Sequence, residues 1–424
     1  MREHGVEIEM IAPSALRPRA RNARTHSKKQ VRQIADSIAA FGFTNPVLID
    51  DDLTILAGHG RVAAARSLGM ARVPCRRIAG MSEDEKRAYV LADNKLALNA
   101  GWDEELLAAE LDALLESDFE INLTGFSIPE IDALIEGDGP EDPSDPRDDA
   151  ICADAPASCS PGDLWALGPH RLICGDARDA AVVDRLMGGA RARMVFTDPP
   201  YNVRIAGNAS PTARHGEFAM ASGEMSASDF TAFLSDSCRQ LARVSVDGAI
   251  HFICMDWRHM AEMRAAGDGV YAEMKNLIVW VKDNGGMGSF YRSQHELIFV
   301  FKVGTSAHLN TFGLGETGRH RTNVWRYRGA NSFSSDARDA LSLHPTAKPV
   351  QMIADAIKDV SGRGDILLDL FGGSGSTLIA AAKTGRCGYL CEFDPTYCDG
   401  ILARWSAWAH DDPKLLERRE PTAA

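Results

Sequence analysis

Apolar positions in the first third of the chain recur mostly with helical spacing. In the remainder they gather into short buried runs that alternate with helical stretches. Val31, Ile34, Ile38 and Phe41 share one face of a predicted helix that Gly42 ends. Pro46 to Ile49 and Thr54 to Ala57 predict two short strands joined by Asp50-Asp51-Asp52. Gly58-His59-Gly60-Arg61 then opens a helix through Val62 to Arg66. A glycine turn with arginine in the first helical turn suits an anion. Ser82-Glu83-Asp84-Glu85 starts another helix, with a serine cap and acids in its first turn. Amphipathic patterns follow at Asp103 to Leu115 and Ile128 to Ile135. The stretch GDGPEDPSDPRDDA, 137–150, has no periodic apolar residue and reads as flexible. These patterns predict a first domain over 1–136, an acidic linker over 137–160 and a second domain over 161–411.

In the second domain, Leu172-Ile173-Cys174 predicts a strand ending in Gly175-Asp176-Ala177, followed by a helix at 179–187. Met194-Val195-Phe196 predicts the next strand, and a helix runs from Ser226 to about Val244. Strand-like runs occur at Ala249 to Cys254, Leu277 to Val281 and Leu297 to Phe301. A helix from Val350 to Val360, a strand from Ile366 to Leu370, an alanine-rich helix, a strand from Cys387 to Cys391 and a helix over 395–409 complete the pattern. Alternating strands and helices imply an α/β fold with a doubly wound, mostly parallel sheet. The runs at 277–281 and 297–301 read as an antiparallel hairpin at one edge.

A length of 424 residues suits two or three domains. No run of about 18 apolar residues occurs, so no membrane contact is expected. The opening MREHGVEIEM lacks a secretory apolar core. The nine cysteines are scattered without a CxxC pair, which fits reduced, cytoplasmic thiols and argues against zinc; no metal is expected. The net charge of −13 speaks mildly against nucleic acid, but local patches set the binding field. Residues 17–32 hold seven Lys or Arg and no acid, which suits a solvated arm or a phosphate-contacting segment.

The candidate chemistry sits in MVFTDPPYNV, Met194 to Val203. Pro199 and Pro200 have no N–H to donate, so the strand must stop there. The stiff turn presents the Asp198 carboxylate, the Pro199 carbonyl and the Tyr201 ring where α/β sheets bind ligands. An acceptor pair beside a ring suits a flat base carrying an exocyclic amine. The second feature is Asp369-Leu-Phe371-Gly-Gly373-Ser-Gly375, a glycine turn from strand to helix that lets backbone approach a ligand. Glu392 ends the next strand, where dinucleotide folds keep an acid for ribose hydroxyls. A nicotinamide dehydrogenase would fit this pair of features equally well.

Two resemblances resolve the reading. NPVLID, TILAGHGR, VAAARSLG and VPCRRI, in that order, resemble the ParB-like N-terminal domain over roughly residues 6–95, a small α+β fold. In that family the segment matching Gly58 to Arg61 lies at a nucleotide or phosphate site. Gly-His-Gly-Arg replaces the usual Gly-Glu-Arg-Arg here, so the resemblance carries the fold and DNA contact rather than nucleotide hydrolysis. DPPY, HPTAKP, FGGSGST and a strand-end Glu, in that order, resemble the beta-class DNA amino-methyltransferases over about 161–411. The resemblance implies a Rossmann-like fold with permuted motif order.

It also implies roles. Phe371, Gly373 and Gly375, after Asp369, would cradle the methionine part of S-adenosylmethionine. Glu392 would bind its ribose, and Asp176, with Ala177 beside it, would meet its adenine. Lys348 would approach its carboxylate. Asp198 and the Pro199 carbonyl would accept both hydrogens of the target amine, with Pro200 stiffening the turn. Tyr201 would stack on a base flipped from double-stranded DNA. Asp in the first motif position leans toward adenine N6, with cytosine N4 the alternative.

The recognition segment is expected within 303–343. There Arg319, Arg321, Arg326 and Arg328 interleave with Trp325 and Tyr327, a pattern suited to phosphate and base contact. Lys282 to Arg292 and 204–224 are second candidates. The implied activity is that of a site-specific, adenine-specific DNA methyltransferase of the restriction-modification type, in the cytoplasm. The rival readings are RNA methylation and a ParB-like DNA-binding protein with a vestigial methyltransferase domain. A homodimer is left open.

Overall fold

The computed structural model describes residues 7–19, 24–115, 117, 119–136, 148, 155–203, 223–285, 290–311, 321–329 and 347–418. The chain forms two compact units, Met1–Asp138 and Gly139–Ala424.

The first unit carries β1 (Ile8–Ile11), α1 (Lys28–Phe41), β2 (Val47–Ile49), β3 (Ile55–Ala57), α2 (His59–Ser67) and β4 (Val73–Arg77). Helices α3 (Glu83–Ala97), α4 (Glu104–Leu115) and α5 (Ile128–Glu136) follow. The strands form one sheet in the order β1-β4-β2-β3. Val47, Ile49, Ile55, Val62, Val73 and Cys75 are its buried core. Ser82 caps α3 reciprocally with Glu85, which satisfies two otherwise orphaned N–H groups. Gly58 caps α2 at φ 102°, a conformation that favours glycine. The Arg61 guanidinium donates to the Asn45 carbonyl at 2.8 Å. His59 accepts from the Arg19 N–H at 3.5 Å, and burial, then His26 and Arg19, lowers its pKa.

The second unit begins with β5 (Leu164–Leu167), β6 (His170–Cys174), α6 (Ala180–Met187), β7 (Ala192–Thr197), α7 (Ala227–Arg243), β8 (Ser245–Met255) and α8 (Met260–Asp268). Strands β9 (Glu273–Val281), β10 (His295–Lys302) and β11 (Val324–Arg326) come next. It ends with α9 (Val350–Val360), β12 (Ile366–Asp369), α10 (Ser376–Lys383), β13 (Cys387–Glu392), α11 (Pro395–Ala409) and β14 (Lys414–Glu417). Ten strands form one sheet in the order β11-β9-β10-β8-β7-β12-β13-β6-β5-β14. Its centre, β8-β7-β12-β13-β6, is parallel, and two apolar clusters, built around Val195 and Met194, contribute to its core. Alternate residues of β7 thus point to opposite faces.

The predicted hairpin is β9-β10, but β11 covers its outer edge in parallel. Sequence reading placed no strand within the expected recognition segment; Trp325 lies buried at 4% exposure while its two neighbours face outward, the period of a strand. The last strand, β14, lies beyond residue 411 and pairs with β5. Asp148, from the stretch expected to be flexible, is buried and bonds Lys383 and the Trp408 Nε1–H. Asp399 accepts from the Ser158 and Cys159 N–H groups at 3.0 and 2.9 Å, so these residues pack on the second unit.

Topology decides what meets at one edge of the sheet. The carboxyl ends of β7, β12, β13 and β6 lie together because the strands are parallel. Strand β10 runs the other way, so its beginning, His295-Glu296, comes to that same edge. The ends of β9 and β11 return to it as well.

Candidate active site at the carboxyl edge of the sheet

The Asp-Pro-Pro-Tyr turn leaves β7 as its prolines require. Asn202 follows at φ 52°, a left-handed conformation that Asn tolerates. Its side chain donates to the Met225 carbonyl at 3.0 Å and accepts from the Gly223 N–H at 3.0 Å and the Met225 N–H at 3.2 Å. The turn is therefore tied to the start of α7. Asn202 was not singled out from sequence; its place after a proline turn was the available signal.

Asp198 stands in a charged cluster that sequence reading saw only in part. Lys348 Nζ bonds Asp198 Oδ2 and lies 3.2 Å from Glu296 Oε2. Lys282 Nζ bonds Glu296 Oε1. Tyr201 Oη lies 2.5 Å from Asp198 Oδ1 and 3.1 Å from Glu296 Oε2; its one proton serves the nearer oxygen. The Lys348 ammonium sits 5.4 Å from the Tyr201 ring centroid. Two carboxylates and two ammoniums balance, as a buried ionic cluster must.

Burial, and then the charge of Glu296, pushes the Asp198 carboxyl up against the pull of Lys348. Burial also opposes the charge of Glu296, yet Lys348 and Lys282 outweigh it and hold that carboxyl at about 2. The Tyr201 phenol is pushed well above its usual range by burial and by both acids. Glu296 is the member that sequence analysis missed. Lys348, expected near a cofactor carboxylate, is engaged here by Asp198 and Glu296.

The glycine turn lies on the neighbouring strand. β12 pairs with β7, and the Thr197 hydroxyl donates to Asp369 Oδ1 at 2.7 Å. Asp369 also accepts the Phe371 N–H at 3.0 Å, and burial raises its carboxyl to about 7. Gly373 and Gly375 have φ of 50° and 79°. A Cβ at Gly375 would come 3.2 Å from Ile401, so bulk there strains both backbone and packing. Glu392 accepts the Gly373 N–H at 2.7 Å and the Asp394 N–H at 2.9 Å, fastening the glycine turn to the end of β13. Burial raises its carboxyl, while these backbone donors pull it down.

Beyond β13, Asp176 holds Arg178 at 3.0 Å and 2.7 Å through its two oxygens, and this bond lowers its carboxyl. The Arg178 guanidinium lies over the Phe233 ring, which packs against Phe371 with centroids 6.0 Å apart. Ala177 is buried beside them. Two aromatic rings, Phe233 and Phe371, thus lie at this edge together with the carboxylates of Asp176 and Glu392.

The arginine-rich segment divides. Arg319 lies outside the described residues, as do 204–222, 286–289 and His344 to Thr346. Arg321 donates to Asp359 at 2.9 Å and to Tyr327 Oη at 3.2 Å, and stacks over Trp325 at 4.7 Å. Arg321, expected to suit phosphate and base contact, is thus engaged with α9 through Asp359. Arg326 and Arg328 are exposed at the carboxyl edge.

Folding also gathers cysteines that looked scattered. Cys159, Cys174 and Cys398 bring their sulfurs within 4.8 Å of one another. They sit in an apolar cluster with Leu172, Leu390 and Ile401.

Comparison with known proteins agrees with this architecture. A family model described as DNA methylase matches residues 192–403. A ParB N-terminal domain matches 2–95, and a ParB-methyltransferase HTH domain matches 105–160. The chain therefore belongs to the N6/N4 DNA methylase family and carries a ParB-type domain ahead of the methylase. The ParB-like nuclease domain-containing protein YnaK of Escherichia coli (strain K12) is 53% identical over 72 residues, 17% of this chain and 83% of that protein. YubD of the same organism, named as a candidate methylase, is 26% identical over 217 residues, 51% of this chain and 81% of its own. The type II methyltransferase M.ScaI of Streptomyces caespitosus is 33% identical over 92 residues, 22% of this chain and 30% of that enzyme. Among solved structures, the PvuII cytosine-N4-specific DNA methyltransferase aligns with 57% of this chain and 86% of its own, at 13% identity and a TM-score of 0.40.

Proposed function

We propose that the chain transfers a methyl group from S-adenosylmethionine to the N6 amine of an adenine flipped out of double-stranded DNA. The observation that carries this reading is the adjacency of β7 and β12, joined by the Thr197–Asp369 hydrogen bond. It sets the Asp198 turn beside the glycine turn, so a donor on one strand end faces an acceptor on the next.

The residues present fit the cofactor. Asp176 and Glu392 offer acceptors for an amine and for ribose hydroxyls. Phe371 and Phe233 offer an apolar wall, and Gly373 and Gly375 let backbone come close. When bound, S-adenosylmethionine supplies an electrophilic methyl on a sulfonium.

The chain's own groups do the rest. An aromatic amine is a poor nucleophile because its lone pair is delocalised into the ring. Asp198 and the Pro199 carbonyl accept its two hydrogens and favour a pyramidal nitrogen. Positioning then contributes most of the rate. Both Asp198 oxygens are engaged in the structure, by Lys348 and Tyr201. The incoming amine must displace one of them, and Glu296 retains Lys348 when Asp198 lets go. Tyr201 then stacks on the base. Arg326 and Arg328 contact phosphates, and the ParB-type domain engages DNA or a partner.

Incubation with methyl-tritiated S-adenosylmethionine, in parallel with plasmid DNA and with RNA, tests this directly. Labelled N6-methyladenine from the plasmid supports it. Labelled N4-methylcytosine moves the target base, label in RNA alone moves the substrate, and no label points to a vestigial domain.

A further inference from the structure

Phe290 and Tyr291 are 85% and 86% exposed, and their ring centroids lie 4.3 Å apart. Each such ring carries roughly 150–250 Å² of mostly apolar surface, and leaving two adjacent rings in water is unfavourable without a partner. Their place in the fold says which partner. They lie on the connection between β9 and β10, whose two ends, Val281 and His295, pair at the carboxyl edge of the sheet. The base of that connection is closed: the Lys282 N–H donates to the Gln294 carbonyl at 2.9 Å, and Gln294 Nε2 returns a bond to the Lys282 carbonyl at 2.8 Å. The residues at its two ends, Lys282 and Glu296, belong to the Asp198 cluster. The rings therefore belong to a connection whose closed base is held by the groups that would take the flipped base. Arg326 pairs in register with Val281, the residue before Lys282, so an exposed cation flanks the connection on the β11 side.

Resting on the function proposed above, we propose that Phe290 and Tyr291 form an aromatic wedge that enters the duplex and fills the gap left by the extruded base. Extrusion costs a few kcal/mol of lost stacking, and an inserted ring recovers part of it. The neighbouring cations hold the flanking phosphates while the rings meet base faces, which are apolar and flat. Both rings are largely exposed, so their removal leaves the fold in place.

The test begins by mapping the methylated site on plasmid DNA treated with the wild-type protein. A synthetic duplex of that sequence then carries 2-aminopurine at the target position, whose fluorescence rises on unstacking. The F290A/Y291A variant should lose that rise and methylate the ordinary duplex about tenfold or more slowly, the factor one stacking contact supplies. Its S-adenosylmethionine affinity should be unchanged, and F290Y/Y291F should behave as wild type. On a duplex whose target base is mispaired, and so already loosened, the defect of F290A/Y291A should shrink. Equal losses on paired and mispaired duplexes would make the rings a plain contact surface and overturn the wedge. So would an unaffected variant, or one that changes only self-association. A wild-type protein that transfers no methyl to DNA would sink the function and the wedge together, whereas full activity in F290A/Y291A sinks the wedge alone.

Discussion

Lys348 and Asp198, 150 residues apart in the chain, form one ion pair against the face of Tyr201. In the proposed reaction this pair closes the acceptor that the target amine would need, and Glu296 is the counter-charge that would retain Lys348 when Asp198 lets go.

Asp198→Asn keeps the shape of the side chain but replaces one acceptor oxygen with a donor. Methyl transfer should fall by at least about a hundredfold, the scale of losing one group that organises a transition state. Equilibrium binding of S-adenosylmethionine should be unchanged. Loss of cofactor binding in a folded variant would show that Asp198 serves the cofactor instead.

Glu296 titrates at about 2 in the fold, against an ordinary 4.5. A lowered carboxyl adds stability above pH 4.5, and that contribution is lost as the pH falls toward 2. Glu296→Gln removes it, so the variant should be less stable at neutral pH by roughly 3 kcal/mol. Between pH 4.5 and 2 the gap to wild type should close. Urea unfolding across that window checks this, and two parallel profiles would contradict it.

Asp369 has the opposite sign. Its carboxyl rises from 3.8 to about 7, because burial outweighs the bonds from Thr197, Thr377 and the Phe371 N–H. The fold prefers it neutral, so its contribution is full below pH 3.8 and is lost as pH rises through 7. Asp369→Asn keeps an acceptor for Thr197 without the charge. Relative to wild type, the variant should gain stability from pH 4 to 7, measured as a rising difference in unfolding midpoint.

The arginines should separate by salt dependence. Each phosphate contact removed lowers the slope of log affinity against log salt by about 0.9. Arg326→Ala and Arg328→Ala should each show that reduction in filter-binding titrations with DNA. Arg321→Ala should instead lower the unfolding temperature, because it leaves Asp359 on α9 without its 2.9 Å partner, and should leave the salt slope alone.

Much of this site was legible in the chain because its motifs sit at strand ends, and strand ends are marked by local chemistry. The prolines after Asp198 stop β7, and the glycines after Asp369 bend the backbone into α10. Glu296 was not legible. His295-Glu296-Leu297 looks like any strand start, and only antiparallel pairing with β8 brings it to Asp198. The partners of Arg321 were not legible either: Asp355 and Asp359, one helical turn apart on α9, meet it only through the fold. The alternation of Trp325 and Tyr327 with Arg326 and Arg328 was the available signal for β11, and the richness in arginine hid it. Cys159, Cys174 and Cys398 meet through tertiary packing, which spacing does not encode.

The most direct test is a crystal structure of the protein with duplex DNA carrying its mapped site and a non-reactive S-adenosylmethionine analogue. The cofactor is expected against Phe371 to Gly375 and Glu392, and the extruded amine within hydrogen-bond reach of Asp198. The amine nitrogen should lie roughly 3–3.5 Å from the position of the transferable methyl carbon. A cofactor seated away from the glycine turn, or a base stacked elsewhere than on Tyr201, would contradict the proposed reaction.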